Sequence, residues 1–78
     1  MQATETILAK SIETTVCELV IQLGDREVRI PWEKCSKRLA KASAEERRLA
    51  ELTPGGYGIH WPLIDEDLSI GRLVKMHQ

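Results

Sequence analysis

The sequence predicts a small α+β domain: an antiparallel sheet of three to four strands packed with two or three short helices. Three observations predict it. The 78 residues suffice for one hydrophobic core and not for two, so residues 1–78 form a single domain. Apolar side chains alternate at period two from Cys17 to Leu23 and return through Val28 and Ile30. Ser43-Ala44-Glu45-Glu46 has the Ser-x-x-Glu form of a capping box, which opens a helix.

The elements follow in order. From Thr6 to Thr14 the chain is rich in Ile, Thr and Ser, which favours a first strand. In the second, Cys17, Leu19, Ile21 and Leu23 share the buried face, leaving Glu18, Val20 and Gln22 on the other. Gly24-Asp25 places Gly first, the order of a type II′ hairpin, and Val28 and Ile30 alternate with Glu27 and Arg29 on the way back. Pro31 ends the ladder and opens a helix in which Trp32, Cys35 and Leu39 recur at i, i+3 and i+7. The capped helix runs from about Ala44 to Glu51, with Ala44, Leu49 and Leu52 as apolar contacts and Arg47 and Arg48 exposed. Thr53-Pro54-Gly55-Gly56 cannot continue it. A short strand follows with Tyr57, Ile59 and Trp61 on one face and His60 on the other, until Pro62 stops it. Asp65-Glu66-Asp67 reads as a solvated acidic loop, and Ser69 caps a last helix holding Ile70, Leu73 and Val74.

Composition narrows the function classes. Apolar residues make up 42% of the chain with two Trp, one Tyr and no Phe, so the core is aliphatic and disorder is excluded. Eleven Lys and Arg against twelve Asp and Glu leave a net charge of -1, which offers no global field for a polyanion or an acidic membrane. The local pattern is uneven, because Lys34, Lys37, Arg38, Lys41, Arg47 and Arg48 form a positive island in the middle of the chain. No apolar run reaches the ~18 residues of a membrane span and no basic-plus-apolar leader opens the chain, so the expected compartment is the cytoplasm. Cys17 and Cys35 lack Cys-x-x-Cys spacing and fall on apolar positions, so both are expected as reduced core thiols.

A resemblance adds to these readings. Ile30-Pro31-Trp32, the Ser-x-Glu-Glu-Arg-Arg helix, and above all GYGIHWP at 56–62 followed by DEDLSI at 65–70 resemble the bacterial family catalogued as domain of unknown function 2442. The resemblance implies a small α+β protein that binds or regulates rather than turns over a substrate. Members stand alone, precede a helix-turn-helix domain, or are encoded beside a small protein in arrangements like toxin and antitoxin pairs. Two departures stand out. Gly24-Asp25 reverses the usual Asp-Gly or Asn-Gly order, and Gly71-Arg72 stands where a Glu would complete a capping box with Ser69. The last helix reaches the end of the chain, so no helix-turn-helix module is expected after it.

The residues support no catalytic set. The candidate nucleophiles are Ser11, Ser36, Ser43, Ser69, Cys17 and Cys35 with His60 and His77 as the imidazoles; Ser43 and Ser69 are accounted for as caps, the thiols as core, and His77 lies in the tail, so the supply is thin. His60 with Asp65, Glu66 and Asp67 matches no metal loop, and Gly55-Gly56-Tyr57-Gly58 lacks the Lys and helix of a phosphate cradle. No metal, cofactor or enzyme activity is therefore expected. The expected function is a binding or regulatory module, adaptor or antitoxin-like, acting on another protein through Tyr57, His60, Asp65 and Glu66, as a monomer or weak homodimer. The alternative is a nucleic-acid-binding accessory that uses the six basic residues above.

Overall fold

A computed structural model describes residues 7–77. Strands β1 (Ser11–Thr14), β2 (Glu18–Gln22) and β3 (Glu27–Pro31) form an antiparallel meander in the order β1-β2-β3. Three short helices follow, α1 (Trp32–Cys35), α2 (Lys37–Ala40) and α3 (Ala44–Arg48). Strands β4 (Glu51–Leu52), β5 (Gly58–Trp61) and β6 (Glu66–Ser69) make a second antiparallel sheet, and α4 (Ile70–His77) closes the chain. The fold is α+β, with its strands divided between two three-stranded sheets.

Register explains the first sheet's buried face. Leu19 stands opposite Ile30 and Ile21 opposite Val28, so all four side chains point the same way and are buried. The outer face carries Arg29, 2.8 Å from Glu18 and 2.6 Å from Glu27, and Gln22, whose amide donates to Glu27 at 2.9 Å. Hydrogen bonding from Gln22 and then Arg29 holds the Glu27 carboxyl below its ordinary range. Val20, expected outside, is buried between Glu13 and Arg29 in the register.

The hairpin tips depart from the sequence expectations. Cys17 is exposed rather than in the core, because Thr15 Oγ1 accepts from the amides of Cys17 and Glu18 at 3.2 and 2.9 Å. That hydroxyl bends the chain into a turn before the alternation begins. Leu23 and Arg26 close the other tip around Gly24-Asp25, but Gly24 does not adopt the positive φ of a type II′ turn.

The single helix expected from Trp32 to Leu39 is divided at Ser36, whose backbone is extended and whose Oγ accepts from the Leu39 amide at 3.1 Å. Trp32, Cys35 and Leu39 are nonetheless all buried. At α3 both arms of the capping box form: the Glu46 amide donates to Ser43 Oγ at 3.1 Å and the Ser43 amide to Glu46 Oε1 at 2.9 Å. The helix stops at Arg48 and buries none of its own residues, so Ala44 and Leu49 are not core; Leu52 packs at the core's edge from β4 instead.

Asp65-Glu66-Asp67 is not a loop. Glu66 and Asp67 open β6, paired with Trp61 and His60, while Asp65 turns the hairpin with φ of 53°. Asp tolerates that left-handed conformation at modest cost. The cap expected for α4 is present in half, with the Arg72 amide donating to Ser69 Oγ at 3.3 Å and Arg72 in place of the reciprocal acid.

A backbone bond from Ile70 N–H to Tyr57 O at 2.8 Å continues the β5–β6 pairing into α4, and one from Ala9 N–H to Gly56 O at 2.9 Å ties the halves together. Gly56 is required there: its φ is 77°, and a Cβ would run into the Ala9 carbonyl oxygen. Helix α4 packs on β3, β5 and β6. Trp32 and Trp61 meet edge to face at 6.3 Å in the centre of one hydrophobic cluster fed by both sheets.

Candidate functional site

Strand β5 alternates Ile59 and Trp61 inward with His60 outward. On the outer face His60 lies between Glu51 of β4 and Asp67 of β6, and its Nδ1 is 2.7 Å from Asp67 Oδ1. The contact with Asp67 orients the ring. Glu66 is not part of it, because pairing with Trp61 places its side chain on the opposite face, half-buried at the sheet's end. Asp65 is exposed, and its backbone carbonyl, with that of Ile64, accepts from Arg38 Nη1, each at 3.1 Å.

Tyr57 leaves the strand altogether. Its backbone is helical, so it drops out of the alternation with Ile59 and Trp61, and it is 59% exposed. It also sits at the α4 end of β5, about 13 Å along the strand from Trp61 and the acidic turn. Tyr57, His60, Asp65 and Glu66 therefore do not converge on one site.

Tyr57 instead lines an open groove of about 720 Å³ with Ile7, Ser69 and the outer face of α4. That face was missed in the sequence although the signal was there. With Ile70, Leu73 and Val74 turned inward, helical spacing leaves Arg72, Lys75 and Met76 outward, and Met76 is 57% exposed.

The six basic residues divide by role. Arg47, expected on the surface, is half-buried: Nε donates to Leu39 O at 2.9 Å, Nη2 to Ala40 O at 3.0 Å, and the guanidinium lies 5.6 Å from the Trp32 ring centre. Its own carbonyl accepts from Trp61 Nε1 at 3.1 Å, so Arg47 joins α2 and α3 to both tryptophans. Arg38 is engaged by the β5–β6 turn as described. Lys34, Lys37, Lys41 and Arg48 remain exposed, and Glu46 shares the depression lined by Lys37, Arg38 and Lys41.

Of the nucleophile candidates Ser11 and Cys17 are exposed, Cys35 lies in the core, and Ser36, Ser43 and Ser69 cap helices. Burial pushes the Cys35 thiol up to about 12, which leaves it neutral and unreactive at physiological pH. Among the described residues no group of three His, Cys, Asp or Glu side chains could hold a metal ion, and no helix is long and apolar enough to cross a membrane.

Two three-stranded antiparallel sheets, bridged by short helices and closed by a C-terminal helix, define a small α+β class. The same fold is seen in the crystal structure of a protein of unknown function from Rhodospirillum rubrum ATCC 11170, with a TM-score of 0.79 over 94% of this chain and 90% of that chain. At 22% identity the likeness is one of fold alone. The family is defined by sequence: the chain belongs to the protein family of unknown function DUF2442, whose model matches residues 11–76. No curated protein matches it.

Proposed function

We propose that the protein is a non-enzymatic docking module of the cytoplasm that acts on another protein, as an adaptor or antitoxin-like regulator. The observation that carries this reading is the placement of its aromatic rings. Both tryptophans are buried, while Tyr57 stands 59% exposed across a groove from Met76, itself 57% exposed. Exposed amphipathic rings beside a flexible Met are favoured contact anchors because they cover area at low conformational cost. The engagement of the Ser36, Ser43 and Ser69 hydroxyls as helix caps supports a binding role over turnover. His60 is a secondary contact, and Asp65 and Glu66 act through the turn and the sheet end.

Photo-crosslinking tests the docking reading. A benzoylphenylalanine at position 57 should yield one discrete protein adduct in the native host, and the same group at Arg48 should not. Adducts at 48 and none at 57 would place the partner elsewhere.

The exposure of Lys34, Lys37, Lys41 and Arg48 favours a second reading, contact with nucleic acid phosphates. Four neutralised phosphates on a duplex would make log affinity fall with log salt at a slope of about −3.6. Gel shifts at two salt concentrations read that slope directly, and a docking surface with an apolar centre would lack it.

A further inference from the structure

The docking groove has a charge as well as a shape. We propose that it takes an acidic amphipathic segment of a partner protein, with an apolar side chain seated between Tyr57 and Met76 and flanking carboxylates on Arg72 and Lys75. This rests on the docking reading above and goes further by naming the partner's chemistry.

Among the described residues that line the groove the charged ones are Arg72 and Lys75, and both are cationic. They stand three residues apart on α4, a spacing that puts both on one face with Met76 one position further. Neither makes a salt bridge with a described residue. On a chain of net charge -1 this is a local positive rim around an apolar floor, and it selects for the opposite sign. The floor is kept open at Gly71, where an added Cβ would meet nothing nearer than Ser69 Oγ at 3.8 Å. A volume of about 720 Å³ suits a few side chains of a peptide. The basic island on α1 and α2 lacks this pairing, since Glu46 dilutes the charge there and Ile64 is half-buried. A concave groove fits a chain segment better than a planar anionic bilayer.

The test uses the full chain and a fluorescein-labelled decapeptide of Asp and Glu with Leu and Phe at its centre, followed by anisotropy at physiological ionic strength. A second peptide carries Lys for every acid. The acidic peptide should bind at least about tenfold more tightly than the basic one. Tyr57→Ala, and Arg72→Glu with Lys75→Glu, should each weaken it by about tenfold or more. Gly71→Leu adds bulk to the floor while leaving Tyr57, Arg72 and Lys75 themselves unsubstituted, and should also weaken binding while the melting temperature is kept. Lys37→Glu with Lys41→Glu should leave affinity within about twofold.

No binding of the acidic peptide, loss only with the Lys37 and Lys41 reversal, or preferential capture by phosphatidylglycerol vesicles would overturn the proposal. Equal binding of both peptides that still depends on Tyr57 would end the charge assignment and leave the docking reading standing. Insensitivity of every peptide to Tyr57→Ala, together with no crosslink at 57, would end both.

Discussion

Trp61 joins the second sheet to everything beneath it. Its ring is fully buried against Trp32, and its indole N–H reaches the Arg47 carbonyl. Trp61→Ala should cost about 3–5 kcal/mol, a large share of the stability of so small a domain, and denaturant melts would register it. Arg47 looked like surface charge because two adjacent arginines in a short polar helix usually are; the tertiary contacts with Leu39, Ala40 and Trp32 decided otherwise. Arg47→Ala should cost about 1–3 kcal/mol through the unpaired carbonyls and the exposed indole face, measured by the same melts. His60→Ala should stay within about 1 kcal/mol of the parent, since its partner Asp67 is exposed. The thiols give a cleaner contrast: alkylation of the folded protein should label Cys17 at the hairpin tip and spare Cys35 until the chain is unfolded. Both thiols labelled at equal rates in the native state would mean that Cys35 is not in the core.

At the scale of elements, alternation and capping were legible wherever one side chain or one face sufficed. Leu19, Ile21, Val28 and Ile30 located the first hairpin's core face, and Ser43 with Glu46 located the start of α3. What escaped were elements made by pairing across the chain. Glu66-Asp67 has poor strand propensity, and β6 exists because Leu68 can stand beside Ile59 on the inner face; β4 has two residues and no pattern to read. The split of the candidate site has the same origin, because the helical backbone of Tyr57 moves it from the Ile59 face toward α4. Two glycines make opposite predictions. Gly56→Ala forces a side chain into a positive φ against Ala9 and should destabilise by more than about 1 kcal/mol in thermal melts. Gly71→Ala finds open space in the first turn of α4 and should stabilise by about 0.5 kcal/mol.

For the whole molecule, the two sheets share one core and present different surfaces. The first shows the Arg29, Glu18 and Glu27 network, the second the His60–Asp67 pair, and the edge where the second sheet meets α4 shows exposed apolar side chains beside Arg72 and Lys75, which form no salt bridge with a described residue. Folding accounts for the buried aromatics and for Arg38 and Arg47; it does not require Tyr57, Arg72, Lys75 or Met76 where they stand. Surface residues of that kind can be changed without large stability effects, so binding and folding are separable by mutation. The most direct measurement is an amide chemical-shift map of the labelled protein during titration with the acidic peptide. The largest shifts should gather at Tyr57, Gly71, Arg72, Lys75 and Met76, while Lys34, Lys37 and Lys41 stay still. Shifts centred on those three lysines, with the Tyr57 and α4 amides unmoved, would contradict docking in the groove.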